Sequence, residues 1–121
     1  MYPPLVEVLR ASAAVTSIIG SAPIRCYLAG EAPQGVARPY VVWMMVGGAP
    51  ENFLDRVPDA DNFRLQIDAY ANTAHGVREL ARALRDAIER HCHIVSWNGD
   101  GRDPETNLYG YSFDVSWFVR R

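Results

Sequence analysis

Asn62-Phe63-Arg64-Leu65-Gln66-Ile67-Asp68-Ala69-Tyr70-Ala71-Asn72-Thr73 decides the fold, because its period changes abruptly where it ends. From Phe63 to Ala71 the side chains alternate: Phe63, Leu65, Ile67, Ala69 and Ala71 point one way, Arg64, Gln66, Asp68 and Tyr70 the other. That period of two predicts a half-buried strand. Thr73 is a good N-cap, and beyond it Val77, Leu80, Ala81, Leu84 and Ile88 recur every three or four residues. They draw one apolar stripe along a helix. A strand with one apolar face running into a helix with one apolar stripe predicts an α+β layer pair.

Upstream, Pro3 and Pro4 suit a helix start, with Leu5, Val8 and Leu9 as a short stripe. Ser12 is positioned to cap a second short helix, Ala13 to Ile19, closed by Gly20. Both helices are expected on the apolar face of the sheet. Ile24 to Leu28 reads as at most a short strand, followed by a loop punctuated by Pro33, Gly35 and Pro39. Tyr40 to Val46 is apolar without alternation, the pattern of a strand covered on both faces. One reading puts a second subunit over part of it, with Trp43 and Met45 as contact residues; the other covers it with a local loop.

Gly47 to Asp61 is expected to be a long connection between two paired strands, far longer than an ordinary hairpin loop. It carries Phe53, Leu54 and Val57 among charges that include Arg56. Apolar residues on an exposed loop point to docking, so Phe53, Leu54, Arg56 and Val57 are candidate contacts. After the long helix, Cys92 to Trp97 reads as a strand, Asn98 to Pro104 as a turn-rich loop, and Leu108 to Val119 as a second alternating strand. These elements predict a four-stranded antiparallel sheet. Numbering the strands at Tyr40, Phe63, Cys92 and Leu108 first to fourth, the expected order is 1-2-4-3. The N-terminal helices and the long helix pack on one face.

At 121 residues the chain is expected to form one domain, residues 1–121. No apolar run is long enough to span a membrane, and the N-terminus lacks a charged region followed by a signal-peptide core. The expectation is a cytoplasmic chain in which Cys26 and Cys92 stay free and buried. All twelve basic residues are arginine, the cation favoured at protein interfaces, and the net charge is −2. Scattered charges give no electrostatic footprint for gripping nucleic acid.

No catalytic or metal constellation stands out. His91-Cys92-His93 offers zinc-compatible atoms, but His75 and Cys26 lack the spacing to complete four ligands. His91 at a helix C-terminus also complements the helix dipole. Asp55, Asp59 and Asp61, like Asp100 and Asp103, do not fit a calcium loop, and turn formation accounts for them. On the long helix Arg82–Asp86, Arg85–Glu89 and Asp86–Arg90 stand four apart, as in a mutually paired solvated face. No cofactor is expected.

The ordered set of elements resembles the tail-completion or tail-terminator proteins of long-tailed bacteriophages. The features that carry the likeness are the short helix ending at Val15-Thr16-Ser17-Ile18-Ile19-Gly20, then Ala32-Pro33-Gln34-Gly35, Pro39-Tyr40-Val41-Val42, Leu65-Gln66-Ile67-Asp68-Ala69-Tyr70-Ala71, and the helix rich in Ala, Arg and Leu. The resemblance implies a non-enzymatic virion protein with no catalytic residues. Such a protein would sit at the head–tail junction after assembly in the host cytoplasm. It would form a hexameric ring that caps the finished tail tube and joins the head connector. Its partners would be sister copies, the tube protein and a head-completion or connector protein, with DNA passing through unbound. The alternative is a small cytoplasmic dimer of α+β fold that encloses a ligand.

Overall fold

Two short helices, α1 (Leu5–Arg10) and α2 (Ala13–Ile19), lead into strand β1 (Cys26–Leu28) and the long strand β2 (Tyr40–Pro50). β3 (Ala60–Ala71), α3 (Ala74–Ile88), β4 (His93–Arg102) and β5 (Tyr109–Arg120) follow. The structure is a computed structural model and describes residues 2–52 and 54–121. The sheet has five strands in the order β1-β2-β3-β5-β4. β1 runs parallel to β2, and the other neighbours are antiparallel. The expected four-stranded antiparallel sheet in the order 1-2-4-3 is therefore wrong: the sheet is mixed and gains a fifth strand. Cys26, Tyr27 and Leu28 pair with Val41, Val42 and Trp43. Residues 29–39 carry the chain back so that β2 starts in the same direction as β1, and a connection of that length suits a parallel pair.

β3 is the centre of the construction. Phe63, Leu65, Ile67, Ala69 and Ala71 are buried on one face, and α3 lays Val77, Leu80, Leu84 and Ile88 over them. Thr73 caps α3, its hydroxyl accepting from the Gly76 amide at 2.9 Å. Ser12 caps α2 in the same way by accepting from Val15, and Gly20 ends that helix at φ +81°. Leu5, Leu9, Val15 and Ile19 join the same core, so all three helices cover one face of the sheet. Each fully buried aliphatic side chain there contributes about 1.5–3 kcal/mol, so this face is the core that holds the fold together.

The opposite face is polar and hydrogen-bonded. The Asn62 and Ser116 side chains bond each other at 2.8 and 3.0 Å, Gln66 donates to Asp68, and Asn98 donates to Ser112 and Asp114. Tyr40 and Tyr70 stack there with ring centroids 5.1 Å apart.

Two strands are longer than the sequence signals. β2 continues through Gly47, Gly48, Ala49 and Pro50, which pair with Arg64, Phe63, Asn62 and Asp61 after a bulge at Val46. The connection expected over Gly47–Asp61 is thus a hairpin arm whose loop covers only residues 51–59. Gly48 is required, since a Cβ there would lie 2.7 Å from the Asn62 carbonyl oxygen. Likewise β4 runs through Asn98-Gly99-Asp100-Gly101-Arg102, which read as a turn-rich loop, and the turn lies at residues 103–108. Register with β5 overrides the local turn signals, with breaks between Ile94 and Ser96 and between Trp97 and Gly99.

Candidate assembly surface

The two hairpin loops lie at opposite ends of the sheet, since Ala60 pairs with Arg120 and Ala71 with Tyr109. At the first end the C-terminal residue locks the base of the β2–β3 hairpin. The Arg121 amide donates to the Asp59 carbonyl at 2.9 Å, and its guanidinium donates to both Asp61 carboxylate oxygens and the Pro58 carbonyl. The Arg121 hydrogen bond holds the Asp61 carboxyl below its ordinary value, and the same bond raises the arginine. The loop is therefore held at its root, and beyond the root it exposes apolar side chains. Leu54 is fully exposed and Val57 is 77% exposed. Arg56 is exposed beside them. Phe53, the fourth residue singled out in this loop, lies outside the described residues.

Trp43 and Met45 occupy a different surface. Opposite Ile67 and Leu65 in register, they point to the helix side of β2 and are only partly buried. With Tyr2, Pro3, Val6, Glu7 and Leu28 they line an apolar groove of about 510 Å³ between α1 and the sheet edge. Within the subunit β2 is covered on the helix side, where Val41 is fully buried, whereas on its other face Val42 and Met44 stay partly open beside Asp68 and Gln66. Sequence reasoning placed the Cys92–Trp97 strand at the far edge of the sheet but did not single out its side chains as contacts. There Val95 and Trp97 of β4 are 45% and 46% exposed, and Trp97 lies next to Arg78, Arg82 and Arg85 of α3. The Asn-Gly signal that follows Trp97 suggested that the strand stops there, whereas it runs on to Arg102.

The other candidates are structural. Cys26 and Cys92 are free and buried, and burial pushes both thiols up to about 12. The Cys92 Sγ donates to the Ile88 carbonyl at 3.4 Å, and His91 stacks on Trp117 at 6.3 Å. His91 precedes β4, so it does not share a strand face with His93. Among the described residues no three His, Cys, Asp or Glu side chains gather as a metal site. On α3 the ion pairs are Arg82–Glu79 at 4.0 Å and Arg85–Asp86 at 3.0 Å, while Arg78 reaches Asp100 on β4 at 2.8 Å. They replace the three i,i+4 pairs expected, two of which place arginine N-terminal to the acid, the weaker orientation. Among the described residues no helix is long and apolar enough to cross a membrane.

These surfaces present apolar residues, with arginines and carboxylates beside them, on the edges and the loop of one sheet. The model of the family described as tail completion protein gp17 matches residues 3–120. The chain belongs to this family. It is a structural protein of the phage virion, located in the tail. A solved chain described as "Virion of native gene transfer agent (GTA) particle" shares the fold. The two align with a TM-score of 0.69 and 15% identity, over 97% of this chain and 92% of that one. No curated protein matches the tail-completion chain.

Proposed function

We propose that this tail-completion protein caps the finished tail tube as a hexameric ring and forms the joint to the head connector. The observation that carries the reading is the hairpin whose root is clamped by Arg121 while Leu54 and Val57 in its loop stand exposed to solvent. A loop kept in place and tipped with unburied apolar side chains favours a docking role. In this reading Leu54, Arg56 and Val57, with Phe53 beside them in sequence, meet the tube or a neighbouring copy, and Trp43 and Met45 meet a sister subunit. DNA passes through the ring without specific contacts, in keeping with a net charge of −2 and arginines that are dispersed rather than massed.

Deleting Asn52–Val57 tests this directly. The expected outcome is a protein that still folds and is expressed but leaves tails uncapped and heads unjoined in electron micrographs. Normal particles assembled with the deletion variant would refute the role of the hairpin tip.

A further inference from the structure

We infer that the contact between sister copies runs head to tail, with the Val95–Trp97 edge of one subunit seated in the Trp43–Met45 groove of the next. The inference rests on the ring reading above and specifies its interface. Three observations carry it. First, the two apolar patches lie on opposite edges of one sheet, β4 at one end of the order and β1 with β2 at the other. Second, Trp97 on one edge and Trp43 with Met45 on the other all face the helix side. Trp97 is opposite Phe113, and Trp43 and Met45 are opposite Ile67 and Leu65, all three partners being fully buried beneath the helices. Copies placed edge to edge with their helices on one side therefore bring an exposed indole to a groove lined by Tyr2, Val6, Leu28, Trp43 and Met45.

Third, the charges match. The groove contains Glu7, while Trp97 is flanked by Arg78, Arg82 and Arg85. These arginines touch Asp100, Glu79 and Asp86, yet their side chains remain 66%, 66% and 41% exposed. A guanidinium carries five N–H donors, so donors remain for a second carboxylate. Trp and Arg together are the residues that most often anchor protein interfaces. The edge of β4 is broken twice by bulges, around Val95 and Asn98, and such edges resist continuous strand pairing. The contact is accordingly made by side chains and not by a shared ladder. Because the two patches differ, the interface is heterologous, the kind that a closed ring of like copies requires.

Thiol cross-linking decides between the arrangements, because Cys26 and Cys92 are buried and silent. Leu28→Cys and Trp97→Cys are made singly, purified, and treated with a short bis-maleimide, alone and mixed. The same is done with Met45→Cys and Val95→Cys as a second pair, in case one substitution impairs folding. All reactions are run on concentrated protein and on tails assembled with the variants. The expected result is a linked dimer in each mixture and none in either variant alone. A single variant that links to itself overturns the proposal in favour of a two-fold contact, and absence of mixed links from both protein and tails overturns it outright. Micrographs of the same tails separate the two readings: capped tails without mixed links leave the cap standing and remove this contact, whereas tails that are capped and joined to heads with this chain absent count against the cap itself.

Discussion

Replacing Leu54 and Val57 together by serine separates assembly from folding. Both side chains project from the 51–59 loop into solvent, Leu54 completely. Both are exposed surface positions, so stability should change by no more than about 0.5 kcal/mol. Burying a leucine or valine against a partner is worth about 1.5–3 kcal/mol each, so the double change should weaken docking by about 3–6 kcal/mol per copy. At about 1.4 kcal/mol per tenfold, that is roughly two to four powers of ten in affinity. The control is Leu84→Ala, at a fully buried position of α3. It should cost about 2–5 kcal/mol of folding stability and lower the melting temperature by roughly 10–20 °C. The assay has two arms: thermal melts by circular dichroism, and titration of each protein into tails lacking the chain, with joined particles counted by electron microscopy. A double-serine variant that melts like Leu84→Ala, or that completes tails at wild-type concentrations, would refute the reasoning.

Gly48→Ala places a Cβ against the Asn62 carbonyl and should cost about 1–3 kcal/mol, visible as a lower urea midpoint with an unchanged slope. Cys26 and Cys92, raised to about 12 by burial, should resist iodoacetamide at neutral pH and react fully after unfolding. Their raised values also set a sign: the folded state holds these protons more tightly, so stability present below pH 9.0 should decline as the pH rises from 9.0 towards about 12. A double Cys→Ser variant should flatten that decline, and an unchanged profile would assign it elsewhere. Arg121→Ala frees Asp61 and the Pro58 carbonyl, so amide exchange should quicken at the hairpin root while the α3 core stays protected. In the wild type the same contact should persist above the ordinary carboxylate value of 3.8 and be lost as the pH falls through the lowered Asp61 value, followed by the Asp61 carboxyl chemical shift.

The parts of the fold that were legible are those in which one local pattern settles the matter. The alternation of Phe63–Ala71, the stripe from Val77 to Ile88, and the caps Ser12 and Thr73 each draw on neighbours within a few residues. What escaped depends on distant partners. Cys26–Leu28 is too short to show a period, and its parallel pairing exists only because β2 returns alongside it. Gly47–Pro50 and Asn98–Arg102 have the composition of loops, yet the complementary strands β3 and β5 continue past them and supply hydrogen-bond partners. That override also shaped the view of the site. It shortened the hairpin loop to 51–59, kept Leu54 and Val57 within it, and carried the edge strand that holds Val95 and Trp97 on to Arg102.

Imaging the virion tail with this chain gold-labelled, followed by averaging of the labelled end, tests the central claim most directly. The account predicts one six-fold ring at the end of the tube nearest the head, with the hairpin tips turned to a neighbour or to the tube. Label distributed along the tube, or a two-fold particle at its end whose 51–59 loops meet only solvent, would contradict it.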